Sequence, residues 1–255
     1  MRLSSASATD TGLRRSINED NLSVRDDLGL YVVADGMGGH AAGDVASEAA
    51  VEGIVAFVEA TGARSPDQTW PIAFNPEHSV NANRLQAGFR MGNRRLASQL
   101  AASSELRGMA TTAVAMLTGD GAATLAHVGD SRGYRLRAGA LERLTRDHSW
   151  VEEQIRVGAL TEEAAREHPW RNIVTRALSG SEELEVDLQE LELQVGDRLL
   201  LCSDGVFTVL SDDEIGEVLG RDTALHRICE ALIQGANDGG GPDNVTAVVL
   251  QVDAV

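Results

Sequence analysis

The sequence predicts an α+β fold of antiparallel β-sheets with helices packed outside them. Strand-like stretches come in pairs around short turns, as at Ala138-Gly139-Ala140 and Thr118-Gly119-Asp120-Gly121. Helical periodicity arrives in blocks between those pairs, without strict β-α-β alternation, and this favours antiparallel sheets. The chain has 255 residues and 43% hydrophobic content, enough for a sizeable core.

In chain order, Ala6 to Asp27 mixes polar residues with turn formers and reads as a strand, a loop and a second strand. Gly29 to Ala34 is the third strand. From Gly43 to Thr61 the pattern turns helical, with Val51, Ile54, Val55 and Val58 at i, i+3, i+4 and i+7. Gly62 to Asn75 holds Pro66 and Pro71, with Pro76 next, and reads as an exposed loop. A second helix is expected from about His78 to Ala102, with Leu85, Phe89, Leu96 and Leu100 inward. Met109 to Leu117 and Ala122 to Val128 form one hairpin; Gly133 to Arg137 and Leu141 to Thr145 form another. Ser149 to Gly158 and Thr161 to His168 read as two short helices. Arg198 to Cys202 is a strongly apolar strand. Asp212 to Leu219 and Thr223 to Ala236 are helical, and Val245 to Val252 is the last strand.

The bulk numbers exclude several functions. A net charge of −17 argues against nucleic-acid and anionic-membrane partners. All 22 basic residues are arginine. That removes a P-loop lysine, a Schiff-base lysine and a kinase-type ATP lysine. The apolar runs are strand-length, so no transmembrane helix is expected. The start, Met1-Arg2-Leu3-Ser4-Ser5-Ala6, lacks an apolar signal core, and a cytoplasmic location is expected. Cys202 and Cys229 need no disulfide.

Four aspartates carry the functional signal. Asp35, Asp130 and Asp204 end apolar strand patterns, and Asp243 sits just before the last strand. An apolar run that stops at a carboxylate delivers charge to the end of a buried sheet. Four such ends converging would repel one another unless cations sat among them. Hard divalent ions such as Mg²⁺ or Mn²⁺ suit an all-oxygen site, and four carboxylates balance two of them. Two rival motifs fail. Gly36-Met37-Gly38-Gly39-His40-Ala41 fits a dinucleotide fingerprint, but Asp35 would face the pyrophosphate and Glu59 lies in a helical pattern. Cys202 and Cys229 lack the arginine of a cysteine phosphatase six residues on, where Thr208 and Gly235 stand.

Five ordered motifs then carry a resemblance. They are Thr11-Gly12-Leu13-Arg14-Arg15-Ser16-Ile17-Asn18-Glu19-Asp20, Asp35-Gly36-Met37-Gly38-Gly39-His40, Gly129-Asp130-Ser131-Arg132, Ser203-Asp204-Gly205 and Gly241-Pro242-Asp243-Asn244. Together they resemble the bacterial PP2C-type (PPM) protein serine/threonine phosphatases, over nearly the whole chain. The resemblance implies one catalytic domain, 1–255, built as a four-layer α-β-β-α sandwich. It implies a flap at about 149–170, bracketed by Trp150 and Trp170. It implies two divalent ions, Mn²⁺ or Mg²⁺, and a third, weaker one. Asp35 would bridge the first two, with the Gly36 carbonyl; Asp204 and Asp243 would complete the first site. Asp130 would help hold the third ion, and Asp20 would hold metal-bound water. Arg15, with Arg14 as its rival, would grip the substrate phosphate with a two-pronged guanidinium. The implied reaction is direct attack on phosphoserine or phosphothreonine by a metal-bridging hydroxide, with no phosphoenzyme. Met37 stands where eukaryotic members have histidine, and a metal-bound water could protonate the leaving group instead; His40 should point elsewhere.

The expected partners are phosphoproteins, among them a Ser/Thr kinase of the same cell and its substrates, and a monomer is expected. Two alternatives stand beside this reading: a catalytically inactive binding module in the same fold, and a hydrolase of small phosphoesters.

Overall fold

The computed structural model describes residues 1–254 except 39–41, 63–69, 71–72 and 120–121. His40, most of the proline loop and the Asp120-Gly121 half of the first hairpin turn lie outside the described residues.

In chain order the strands are β1 (Arg2–Asp10), β2 (Asp20–Arg25), β3 (Leu30–Met37), β4 (Ala110–Thr111), β5 (Ala113–Gly119), β6 (Ala122–Val128), β7 (Arg132–Arg137), β8 (Ala140–Arg143), β9 (Asp187–Glu192), β10 (Arg198–Cys202) and β11 (Val245–Ala254). The helices are α1 (Ala42–Ala60), α2 (Val80–Ala102), α3 (Trp150–Arg156), α4 (Glu162–Arg166), α5 (Asp204–Phe207), α6 (Asp212–Leu219) and α7 (Leu225–Asp238). One sheet has the order β1-β11-β10-β7-β8 and the other β2-β3-β5-β6-β9, with β4 pairing β3. Every one of these pairings is antiparallel.

Three apolar layers hold four structural layers together. Tyr31, Val33, Met116, Leu125, Leu201 and Val248 fill the space between the two sheets. Val32, Ala115 and Ala126 face the other way, against Ile54 and Val58 of α1 and Leu85, Phe89 and Leu96 of α2. Leu200, Cys202 and Val249 pack against Ile215, Ile228 and Leu232 of α6 and α7. Strands buried on both faces read as unbroken apolar runs, and Leu199, Leu200 and Leu201 of β10 are all fully buried. The result is the expected four-layer α-β-β-α sandwich. The buried Arg84 of α2 closes α1: its Nη2 donates to the Val58 carbonyl at 2.8 Å, a cation at a helix C-terminus. Cys202 and Cys229 are buried and free. No described helix is long and apolar enough to cross a membrane.

Several boundaries differ from expectation. β3 runs on through Asp35 to Met37, because Gly36 and Met37 pair with Thr111 and Ala110 of β4. Asp35 therefore lies inside a strand, and Asp204 is the first residue of α5. The stretch expected as one strand from Met109 to Leu117 is broken at Thr112 into β4 and β5. β9 escaped the sequence reading: Asp187, Glu190 and Glu192 mask its alternation, and it is an edge strand paired to β6 alone. α5 is a single turn, too short to show periodicity.

Candidate active site

The sheets deliver carboxylates to one place. Asp20 stands opposite Asp35 in the β2–β3 ladder, and directly opposed residues share a face. Asp204 follows β10, Asp243 precedes its neighbour β11, and Asp130 follows β6. Asp35, Asp130, Asp204 and Asp243 line one cleft of about 200 Å³ together with Arg15, Gly36 and Met37. Asp20 accepts the Ser203 hydroxyl on Oδ2 at 2.7 Å. Thus Arg15, Asp35, Gly36, Asp130, Asp204 and Asp243 share one cleft, and Asp20 is not in its lining. Arg14 is absent from its lining.

Backbone bonds fix the central carboxylate. The Asp35 carbonyl accepts the Thr112 N–H at 2.9 Å and the Thr111 hydroxyl at 2.8 Å. The Asp35 N–H donates to Thr112 Oγ1 at 3.3 Å. These bonds account for the break in the strand at Thr112. Gly36 has a second reason to lack a side chain, for an added Cβ would strike the carbonyl oxygens of Gly43 and Glu19.

The loop that carries Arg15 is tied down from the far end of the chain. Asn244 Nδ2 donates to the Thr11 and Ile17 carbonyls, both at 2.9 Å. Its Oδ1 accepts the Glu19 N–H at 2.8 Å. Arg15 reaches back to Asp243, Nη2 to Oδ2 at 2.8 Å, and stays half-exposed. The other oxygen of Asp243 accepts the Asn244 N–H at 2.8 Å.

Electrostatically the cluster sets five carboxylates against one paired arginine, Arg15 on Asp243. Burial, and then the charges of Asp20 and Asp204, push the Asp35 carboxyl well above its ordinary value. Burial, and then Asp130 and Asp243, do the same to Asp204. Burial raises Asp20 to about 6 against the hydrogen bonds it accepts, and burial with Asp147 raises Asp130 to about 6. Oδ1 of Asp20 and Oδ1 of Asp204 are buried with no hydrogen-bond partner among the described residues. A buried acceptor without a donor costs free energy, and a carboxylate that burial raises is stabilised by an adjacent cation. The all-oxygen donor set and these orphaned atoms fit divalent ions such as Mn²⁺ or Mg²⁺. A separate trio, His127, His148 and Asp187, brings three ligand atoms within 4.8 Å of one another.

A larger cavity of about 550 Å³ adjoins the cleft and shares Asp130, Asn172 and Asp204 with it. Arg143, Arg166 and Arg171 line it beside Ile155 and Phe207. Its roof is the 149–170 segment, where Ser149 and Thr161 cap α3 and α4. Ala165 is the only buried residue of these two helices. Trp150, His168 and Trp170 pack on one another, with ring centroids 4.7 to 5.8 Å apart. The sequence reading missed Thr112, Ser203, Asn244 and Asn172. Ser203 and Asn244 stand inside the quoted motifs beside their aspartates; Thr112 and Asn172 carry no local signal.

A profile of the Protein phosphatase 2C family matches residues 13–239, and the chain belongs to that family. The Serine/threonine phosphatase stp of Listeria monocytogenes serotype 4b is 38% identical over 251 residues, covering 96% of this chain and 94% of the relative. The Serine/threonine protein phosphatase PstP of Mycobacterium tuberculosis is 41% identical over 247 residues, 97% of this chain and 44% of that longer protein. A crystal structure of PstP superposes with a TM-score of 0.88 at 38% identity, over 99% of both chains. Another, of the PstP catalytic domain in complex with two manganese ions, gives a TM-score of 0.84 at 37% identity.

Proposed function

We propose that this chain is a metal-dependent protein serine/threonine phosphatase. The observation that carries this reading is the buried aspartate cluster with orphaned oxygens, faced across one cleft by a half-exposed arginine. Asp35 with the Gly36 carbonyl, Asp204 and Asp243 would hold two divalent ions, and Asp130 would help hold a third. Such ions supply a water acidified toward neutral pH and offset charge on the phosphoryl oxygens.

The chain's own residues supply the rest. Asp20, anchored by Ser203, offers its free Oδ1 to orient water in the cluster. Arg15 presents a guanidinium that can bind two phosphoryl oxygens at once. In this structure Asp243 Oδ2 already accepts from Arg15, so ion and phosphate binding would draw the two apart. Water attacks phosphorus as the bond to the serine or threonine oxygen breaks, and no residue becomes phosphorylated. Met37 lines the cleft but carries no proton, so the leaving alkoxide takes one from water. The adjoining cavity favours a long substrate over a small phosphoester, and every expected ligand position is filled, which disfavours an inactive binding module. We read residues 1–255 as one catalytic domain with 149–170 as its flap. A Ser/Thr kinase of the same cell, and that kinase's substrates, are the partners we infer.

The test is phosphate release from a phosphothreonine peptide with Mn²⁺ and with EDTA, alongside Asp35→Asn. Release that needs Mn²⁺ and is lost in Asp35→Asn is expected. Ion binding without peptide turnover would turn the reading toward small phosphoesters. Neither binding nor turnover would leave an inactive module.

A further inference from the structure

His127, His148 and Asp187 crowd together, yet their hydrogen bonds do not suit a metal. The Gly129 N–H donates to His148 Nδ1 at 3.0 Å. That nitrogen therefore bears a lone pair, and the proton of the neutral ring sits on Nε2. Nε2 faces Asp187 Oδ2 at 3.3 Å. Arg176 Nη1 lies 3.1 Å from the same nitrogen and 2.7 Å from Asp187 Oδ1, so a fixed cation already occupies the position an ion would take. His127 donates from Nε2 to the Arg146 carbonyl at 2.8 Å and stacks on His148. The ring of His148 is thus locked with Nδ1 as an acceptor.

What it accepts from is the residue before Asp130. The Gly129 carbonyl also accepts the His148 backbone N–H at 2.9 Å, so both polar groups of Gly129 end on one residue. Gly129 has φ +105°, a conformation that only glycine adopts readily. A Cβ there would strike the Thr112 side chain, so the loop has no room to relax on that side. The His148 carbonyl in turn accepts the Thr175 N–H at 2.8 Å, and Ser149 bridges Val174 where the flap returns.

We propose that His148 is a positioning residue: ring Nδ1 and backbone N–H clamp Gly129 at two points and so set where Asp130 presents its carboxylate. Asp187, facing Nε2, and the Gly129 N–H on Nδ1 hold the ring's tautomer, and Arg176 holds Asp187 in place. The clamp ties the third-ion position to the root of the flap. The inference rests on the reading of Asp130 as a ligand of that ion.

Nitrogen NMR of the unmodified protein tests the tautomer directly. A His148 ring protonated on Nε2 is expected; protonation on Nδ1 overturns the clamp. Variants then test its consequence by Mn²⁺ titration, followed by calorimetry. His148→Gln fills the space but moves the acceptor, and should weaken the weakest Mn²⁺ site about 10- to 100-fold. Its kcat should recover in excess Mn²⁺ with KM unchanged. His148→Asn keeps an acceptor where Nδ1 stands and should stay near the parent. Equal behaviour of Gln and Asn would overturn the clamp. Asp130→Asn separates the two readings. If it leaves Mn²⁺ binding unchanged, the role of Asp130 fails. If it removes the weak site while His148→Gln does not weaken it, the clamp alone fails.

Discussion

Asp204 Oδ1 is a buried carboxylate oxygen with no partner among the described residues, in a cluster that raises its pKa. Asp204→Asn removes one repelling charge at nearly constant shape. The metal-free variant should therefore melt no lower than the parent, while its Mn²⁺-dependent turnover is lost; wild-type rates would sink the assignment. The stacked imidazoles behave in the opposite sense. Burial pushes His127 below its ordinary value, and burial with His127 and Arg176 does the same to His148. Both stay neutral when folded, whereas the unfolded chain takes up their protons near pH 6.5. Their contribution is whole above about pH 6.5 and declines as pH falls toward the folded values. The stability gap between the parent and His127→Gln should thus narrow on going from pH 7.5 to 5.5. A constant gap would contradict the burial argument. Of these residues the sequence disclosed Asp204, because an apolar run stops there. It did not disclose the histidine pair, since His127 on β6 meets His148 of the segment after β8 only in the folded chain.

Loops here act through the elements that anchor them. Asn244, at the start of β11, accepts the Glu19 N–H and donates to Thr11 and Ile17, so one amide holds both ends of the Arg15 loop. Asn244→Ala leaves these groups unpaired at a cost of about 1–3 kcal/mol each where water cannot replace it. KM for a phosphopeptide should rise more than kcat falls, and unchanged KM would remove the tether. In the 149–170 segment, Trp170 is half-exposed and packs on Trp150 and His168. If that face meets the peptide, Trp170→Ala should raise KM on phosphopeptides and leave a small aryl phosphate untouched. Equal kinetics on both would reduce the tryptophan to packing. Long helices with an apolar stripe were legible almost to the residue: α1 was expected at Gly43 to Thr61 and runs Ala42–Ala60. The acidic edge strand β9 and the break at Thr112 were not, since both are set by neighbours distant in sequence.

Across the whole molecule, the two sheets concentrate uncompensated negative charge at one end of a packed sandwich. An ion that binds only the folded site must stabilise the fold. At a hundredfold excess over Kd one site contributes about 2.7 kcal/mol. At about 2–4 °C per kcal/mol for a chain of this size, Mn²⁺ should raise the melting temperature by roughly 5–10 °C. An unchanged melting curve in millimolar Mn²⁺ would count against a clustered site. The fold class was legible because hairpins and helical blocks separate cleanly. The assignment of strands to sheets was not, since it depends on long-range pairings such as β1 with β11.

That pairing governs when activity can appear. Asp10 stands opposite Val245, and Asn244 grips Thr11 across 233 positions. A growing chain on the ribosome holds Asp20 and Asp35 early but has neither Asp243 nor the tether of the Arg15 loop. At about 5–20 residues per second, the residues up to β11 take roughly 10–50 s to synthesise. Nascent chains that lack β11 should therefore be inactive, and activity should first appear when β11 is laid against β1.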